Sequence, residues 1–267
     1  MKYGCVLLLI TAIGLSSCQW GVPHNSKPAV TKDTLVYTYK TVKQQATDCS
    51  NKSDSTCTTA EIKYAVFAGQ RKLNDTITQR LLRSYRVADK PDTGLQQQAD
   101  NFIKAYESDT LGKVDHPGAA YSLESSASVI RQDSSLVTIE ISTYAFAGGA
   151  HGSERITFIN WNTKRNAIIA LNDIFADGYK PKLTAVAEKI FRAEEKLTDT
   201  SSLENYFFKD AKFALNNNFL ITPVGIRFLY NDYEIKPYSD GPTELLIPYA
   251  QIKSLLRPNT VVSQYHK

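Results

Sequence analysis

The sequence is poor in the residues that carry most protein chemistry: its 267 residues include four cysteines, four histidines, one methionine and two tryptophans. Its charges nearly balance, with 31 Lys and Arg against 27 Asp and Glu, which leaves a net charge of +4. That excess is too small to indicate a nucleic-acid-binding protein, since phosphate binding requires a concentrated basic face. The 13 glycines and 10 prolines exclude collagen-like and low-complexity chains.

Recognisable catalytic motifs are also missing. The sequence contains no GxSxG, HExxH, SxxK or CxxC pattern, and no strand–GxxxxGK[ST]–helix unit that would hold a phosphate. No cysteine and histidine spacing provides a ligand set for a metal ion. We therefore expect no cofactor, no metal and no enzymatic activity.

The N-terminus has the pattern of an export signal. Lys2 precedes the apolar stretch 6–15, which is shorter than the roughly 20 residues that span a membrane. The stretch ends in Leu-Ser-Ser-Cys, a lipobox pattern in which the thiol of Cys18 accepts a diacylglyceryl group. The alternative is a plain secretory signal with an incidental cysteine.

A lipobox predicts a bacterial protein that is lipid-anchored in the cell envelope and faces the periplasm. Residues 1–17 are then the lipoprotein signal peptide, and the polar, proline-bearing residues 18–32 are a tether. Gln19 follows the lipidated cysteine where an aspartate would favour the inner membrane, so we expect the outer membrane. No other segment has the length and apolarity of a membrane span.

Cys49 and Cys57 are the only cysteines left in the part that folds. Seven polar residues separate them, and an exported protein folds in an oxidising compartment. We predict a disulfide that closes a hairpin. Free thiols or a metal site are the alternatives, and the metal site lacks a second pair of ligands.

Hydrophobic patterning predicts an α+β fold, with mainly antiparallel sheets packed with a few helices as two small halves in one compact unit. Alternating residues predict strands, and apolar residues three and four positions apart predict helices, at the following places: strands at 33–40, 60–67, 121–129, 137–141, 156–160, 218–222 and 225–230, and helices at 73–85, 95–106, 183–197 and 249–256. The predicted domains are residues 33–135 and residues 136–258.

The segment 144–152 is the most unusual stretch of the sequence. Gly148 and Gly149 follow a predicted strand, and adjacent glycines allow positive φ or a close approach of the backbone to another group. The nearby His151 is a candidate ligand-binding residue or general base. A bulge or tight turn with a hydrogen-bonded histidine explains the same pattern in structural terms.

Two further segments carry candidate site residues. Asp173 lies in an Asn-Asp turn whose side chains are expected to bond local backbone amides; paired with His151, it would form an acid–base dyad. Tyr230, Tyr233 and Tyr238 lie in a turn-rich stretch, and if exposed they would form a recognition edge. The alternative is a loop that packs its own tyrosine rings on the sheet.

Three motifs occur in the order found in the extracellular C-terminal domain of the RsiV anti-sigma factor family. They are the GGAH turn within 146–152, the L-x-D-[IL]-F turn at 171–175 and the Y-x-I-x-P-Y-x-x-G loop within 228–242. Residues 140–257 resemble that domain. Residues 33–110 resemble the smaller partner domain, which is also found beside polysaccharide deacetylases.

The resemblance implies a binding protein, because the extracellular part of RsiV binds lysozyme while a cytoplasmic segment holds a sigma factor. This chain has a lipobox where RsiV has a transmembrane helix, so we do not expect sigma-factor regulation. We expect the ligand to be a lysozyme or other muramidase-type protein, or peptidoglycan. A structural or assembly accessory is the first alternative, and a hydrolase using His151 and Asp173 is the second. The sequence leaves the oligomeric state open.

Overall fold

A computed structural model of the protein describes residues 34–51, 56–86, 90–110, 120–133 and 135–266. The predicted signal peptide, the lipidation site Cys18 and the predicted tether lie outside these residues. Within them the chain folds as a mixed α+β structure with two mainly antiparallel sheets, which confirms the predicted class. None of the described helices has both the length and the apolar character needed to cross a membrane.

The larger sheet contains six strands, which lie side by side in the same order as they follow one another in the sequence. They are β1 (Tyr37–Gln45), β2 (Thr59–Phe67), β3 (Ser122–Asp133), β4 (Leu136–Phe146), β5 (Ser153–Asn162) and β6 (Ala167–Ile168). All neighbours are antiparallel except β2 and β3. That parallel pair requires a long crossover, which contains α1 (Arg71–Ser84) and α2 (Leu95–Thr110).

Helices α1 and α2 cover one face of the larger sheet. The apolar spacing that predicted α1 places Leu73, Ile77 and Leu81 against this face, where all three are fully buried. Side chains alternate between the two faces of a strand, so the polar residues between the buried ones point to the opposite face. Over β2 to β4 that opposite face carries Glu61 and Glu124, and we call it the open sheet face.

The predicted disulfide is confirmed. Cys49 and Cys57 are bonded in the connection between β1 and β2, with their Cα atoms 5.1 Å apart. The bridge closes a short loop, and closing such a loop stabilises the folded state by about 2–3 kcal/mol because the unfolded chain loses freedom.

The smaller sheet is antiparallel and has three strands, with one helix packed on it. The elements of this part are α3 (Leu171–Ile174), α4 (Tyr179–Glu194), β7 (Phe219–Ile221), β8 (Gly225–Tyr230), β9 (Thr243–Pro248) and α5 (Tyr249–Ile252). Leu183, Ala187 and Phe191 of α4 are buried, as the helical spacing predicts. Strand β9 was not predicted from the sequence.

Each sheet has its own main hydrophobic core. One cluster of buried side chains runs from Ala46 to Trp161, and the other takes its members from Ile169 onwards, apart from Leu136. The boundary predicted between residues 135 and 136 lies between β3 and β4, which are paired neighbours in the larger sheet. The change from one core to the other comes instead between Trp161 and Ile169.

Side-chain amides take the place of backbone pairing where β5 meets the smaller sheet. The Nδ2 of Asn160 donates to the carbonyl of Phe219 at 2.8 Å, and its Oδ1 accepts from the amide of Ile221 at 3.0 Å. Asn160 is only 2% exposed, so both bonds are shielded from water. They hold β7 against β5.

Two more asparagines complete this contact from the other side. Asn218 accepts from the amide of Phe158 at 3.1 Å and donates to the carbonyl of Ile156 at 2.8 Å. Asn231 accepts from the amide of Ile156 at 2.7 Å and donates to the carbonyl of Ile156 at 3.1 Å. We call Asn160, Asn218 and Asn231 the asparagine joint.

Candidate functional site

Two loops meet beside the asparagine joint. One is the turn 147–152 between β4 and β5, and the other is the segment 231–242 between β8 and β9. Asn231 begins the second loop and is bonded to Ile156 of β5, which fixes the position of this loop beside the turn. The loop is held further because the Glu234 carboxylate accepts hydrogen bonds from the Asn231 amide and the Asn216 side chain.

The two loops bring three aromatic side chains together at the surface. The rings of His151 and Tyr238 are stacked, with centroids 4.1 Å apart, and Tyr238 is stacked in turn on Tyr233 at 5.7 Å. The hydroxyl of Tyr233 also lies 3.5 Å from Nε2 of His151. We call these three residues the aromatic cluster. Tyr233 is 56% exposed and Tyr238 is 38% exposed, so the cluster offers ring surface to a ligand.

Both glycines adopt the positive φ that the absence of a side chain allows. Gly148 has φ 86° and Gly149 has φ 99°, both in the region that side-chain-bearing residues rarely adopt. A Cβ on Gly148 would lie 3.1 Å from the hydroxyl of Tyr121, whereas nothing lies within 4 Å of a Cβ on Gly149. The cost of a side chain at Gly149 is therefore a backbone cost alone.

The variant Gly149→Val is expected to lower the free energy of unfolding by about 1–3 kcal/mol, because a β-branched residue is strained at this φ. His151→Ala should cost less, since the His151 ring is exposed and bonds only the adjacent carbonyl of Gly152 and the Tyr233 hydroxyl. Urea unfolding of both variants measures the difference. The reverse order would indicate that a histidine-centred network, rather than the backbone turn, stabilises this region.

The prediction that Tyr230 belongs to an exposed recognition edge is wrong. Tyr230 is 1% exposed, and its hydroxyl donates to the carbonyl of Ala214 at 2.8 Å. The reason is its position: Tyr230 ends β8 on the same face as Phe228, and both rings belong to the core that includes the buried side of α4. Burial raises the pKa of Tyr230 well above its ordinary value, which keeps the hydroxyl protonated as a donor.

The structure does not bring Asp173 and His151 together. The Asp173 carboxylate accepts hydrogen bonds from Arg165 and from the Ala170 amide, each at 2.8 Å. Partial burial opposes ionisation of this carboxyl, but these two bonds outweigh it and lower the pKa of Asp173. Asp173 is thus an anionic turn residue, which confirms the predicted bonding of its side chain to a local amide.

A cleft of about 380 Å³ lies on the open sheet face, and the sequence did not reveal it. Its lining includes Glu61, Lys63, Glu124, Tyr144 and Glu154. The cleft adjoins the aromatic cluster, because a Cβ on Gly152 would collide with the hydroxyl of Tyr144, and Gly152 directly follows His151. Only the register of four strands, β2 to β5, places these residues together, so no local motif marks them in the sequence.

The described residues contain no group of three or more His, Cys, Asp or Glu side chains arranged to hold an ion.

A further exposed ring is that of Phe207, which no pattern in the sequence marked as a candidate site residue. Its backbone amide donates to the carbonyl of Ile235 at 3.0 Å, and its side chain is 55% exposed. This residue adds apolar surface beside the loop that carries Tyr233.

Two segments of the chain match protein-family models. The model described as a protein of unknown function, DUF3298, matches residues 172–250. The model described as deacetylase PdaC matches residues 51–154. No curated protein matches the sequence. The PdaC match covers most of the residues that form the core of the larger sheet, and the DUF3298 match covers most of those that form the core of the smaller sheet.

Solved structures share the arrangement of both parts. A DUF3298 family protein from Pseudomonas aeruginosa PAO1 has a TM-score of 0.67 at 24% identity, covering 85% of this chain and 96% of that one. A member of the same family from Bacteroides fragilis NCTC 9343 has a TM-score of 0.68 at 22% identity, covering 87% of this chain and 97% of that one. The chain therefore has the fold of these DUF3298 proteins, and its sequence is similar to DUF3298 and to PdaC over separate segments.

Proposed function

We propose that this protein is a lipid-anchored binding protein of the bacterial cell envelope and that the aromatic cluster contacts its ligand. The observation that carries the proposal is the stacking of His151, Tyr238 and Tyr233 at the surface, from two loops far apart in the sequence. Soluble proteins normally bury large rings, and exposed grouped rings are characteristic of recognition surfaces.

The physical properties of the cluster suit binding. A tyrosine ring provides a large contact area with few rotatable bonds, so little conformational entropy is lost when it packs against a ligand. The asparagine joint and the stacking hold the rings in place before a ligand arrives, which lowers the cost of association. Tyr233 keeps its position with φ 61°, a strained backbone conformation that occurs more often at functional sites than elsewhere.

The resemblance to the RsiV family supports a muramidase-type protein such as lysozyme as the ligand, with peptidoglycan as the other candidate. A binding role without catalysis is supported by the separation of His151 from Asp173. The word deacetylase in the name of the family model that matches residues 51–154 refers to that family. For this chain we infer from the match a connection with cell-wall material, which the peptidoglycan arm of the experiment tests.

The variant Tyr233→Ala is expected to weaken ligand binding by about 1–2 kcal/mol, roughly 5- to 30-fold in Kd, with little change in melting temperature. Immobilised lysozyme and purified peptidoglycan serve as the two probes, each with the mature chain carrying Cys18→Ser. Tyr233→Phe is the matched control, because it keeps the ring and the Cβ that experiences the positive φ.

Binding that is lost in the alanine variant and kept in the phenylalanine variant would support the role of the ring. Binding of lysozyme alone or of peptidoglycan alone would identify the ligand class. Equal binding by the wild type and Tyr233→Ala would exclude the aromatic cluster as the contact surface. A variant that loses stability and keeps its ligand would mean that Tyr233 has a structural role.

A further inference from the structure

The outer face of α1 carries a group of cations. Lys72, Arg80 and Arg83 lie on one side of the helix and line a shallow groove of about 290 Å³, together with the exposed Ile168 of β6 and one carboxylate, Asp75. The spacings of eight and three residues place these cations on a single helical face. We call Lys72, Arg80 and Arg83 the basic face of α1.

The cations of the basic face have no counter-ion among the described residues. No carboxylate of that part of the chain lies within salt-bridge distance of them, whereas the neighbouring Arg71 is paired with Asp75. Arg80 is partly buried, and this burial, together with the charge of Arg83, lowers its pKa. Holding like charges together in this way is unfavourable, and an external anion would reduce the repulsion between them.

The first described residues lie close to the start of α1. The carbonyl of Val36, which directly precedes β1, accepts a hydrogen bond from the amide of Ala68 at 2.9 Å. Only two residues separate Ala68 from the first residue of α1. The predicted tether, residues 18–32, spans at most about 50 Å when fully extended. A lipid on Cys18 would therefore keep this end of α1 within reach of the membrane.

Carboxylates outnumber cations in the cleft on the opposite side of the larger sheet. The open sheet face carries Glu61, Glu124 and Glu154 around this cleft against the single cation Lys63, and Lys43 pairs with Glu61, while α1 packs on the other face of the same sheet. An anionic membrane attracts the first side and repels the second. This asymmetry gives the domain a preferred orientation even though the whole chain has a net charge of only +4.

We propose that the basic face of α1 docks on the anionic phospholipid headgroups of the membrane that holds the lipid anchor, with Ile168 at the headgroup boundary. The docking keeps the open sheet face turned away from the bilayer, where it is accessible to a ligand. This inference rests on the proposed lipid anchor, but the docking itself does not require the lipid and can be measured without it.

The test uses the mature-length chain, residues 18–267, with Cys18→Ser so that no lipid is attached. Its sedimentation is compared with vesicles of phosphatidylcholine alone and with an equimolar mixture of phosphatidylcholine and phosphatidylglycerol. The test variant is Lys72→Gln, Arg80→Gln and Arg83→Gln. The control variant, Lys180→Gln, Lys182→Gln and Lys189→Gln, removes the same charge from exposed positions of α4.

We expect the wild type and the α4 variant to sediment with the phosphatidylglycerol vesicles, and to be released by high salt. The α1 variant should bind about 100-fold more weakly, since each cation near an anionic surface contributes roughly a fivefold factor. Melting curves of both variants check that they are folded. Because the assay contains no lysozyme and the protein in it carries no acyl chain, its result is independent of the aromatic cluster and of the lipobox.

Three results would overturn the proposal. The first is a wild type that binds neither vesicle, and the second is an α1 variant that binds as tightly as the α4 variant. The third is a wild type that ignores the vesicles but sediments with peptidoglycan in a manner that depends on the basic face, which would assign this face to a cell-wall polyanion.

Discussion

The variant Asn160→Ala is expected to lower the free energy of unfolding by about 3–4 kcal/mol. The Asn160 side chain is buried and satisfies the carbonyl of Phe219 and the amide of Ile221. Removing it leaves two backbone groups without a partner away from water, and each such group costs about 1–3 kcal/mol. The small cavity left by the amide adds to the loss.

Denaturant unfolding checks this expectation, and Asn162→Ala is the matched control. Asn162 lies two residues further along the same strand, but its side chain accepts a single, exposed hydrogen bond from the Arg165 amide. Its replacement should cost less than about 1 kcal/mol. Equal losses in the two variants would mean that the asparagine joint does not hold the sheets together. Ligand binding by Asn160→Ala should also weaken, since the joint positions the loop of Tyr233.

The variant Cys18→Ala is expected to abolish membrane association by the lipid anchor completely. In the predicted lipobox the thiol of Cys18 would accept the diacylglyceryl group, so the variant would carry no acyl chain. Several tens of buried methylene groups, at about 0.8 kcal/mol each, give an anchor far stronger than any surface contact. Detergent phase separation of whole cells and intact-mass measurement test this expectation.

The double variant Cys49→Ser and Cys57→Ser is the control for this experiment. It lacks the disulfide but keeps Cys18, so it should remain in the detergent phase with its full lipid mass. A Cys18→Ala protein that still enters the detergent phase like the wild type would rule out the lipobox. Residual binding to anionic lipid alone, sensitive to salt, would instead be the contribution of the basic face of α1.

The elements that the sequence predicted correctly are those in which neighbours along the chain carry the signal. The spacing of Leu73, Ile77 and Leu81 depends only on the helical period, and it predicts both α1 and its buried side. The pairing of Cys49 with Cys57 is equally local, because the two cysteines flank one short polar loop. Such signals need no knowledge of the rest of the fold.

The site depends on contacts between distant parts of the chain, and those were only partly predictable. The sequence indicates both the GGAH turn and the turn-rich stretch of tyrosines as candidate site segments. Nothing in it shows that His151 stacks on Tyr238, 87 positions later. Tyr230 and Tyr233 look alike in the sequence, and only the end of β8 separates a buried ring from an exposed one. The partners of Asn160 lie 59 and 61 positions away, so its role was not visible.

The strand order of the larger sheet has a consequence for the order in which the parts of the chain fold. Because the six strands lie in sequence order, each new strand adds to the growing edge and never has to enter between two strands that are already paired. A chain whose N-terminal strands pair first can therefore build this sheet progressively. We expect the parallel pairing of β3 with β2 to be the slow step, since the ends of a crossover of more than 50 residues, from Phe67 to Ser122, must first meet. Until then one edge of β2 is unpaired, and its backbone amides and carbonyls can pair with another chain.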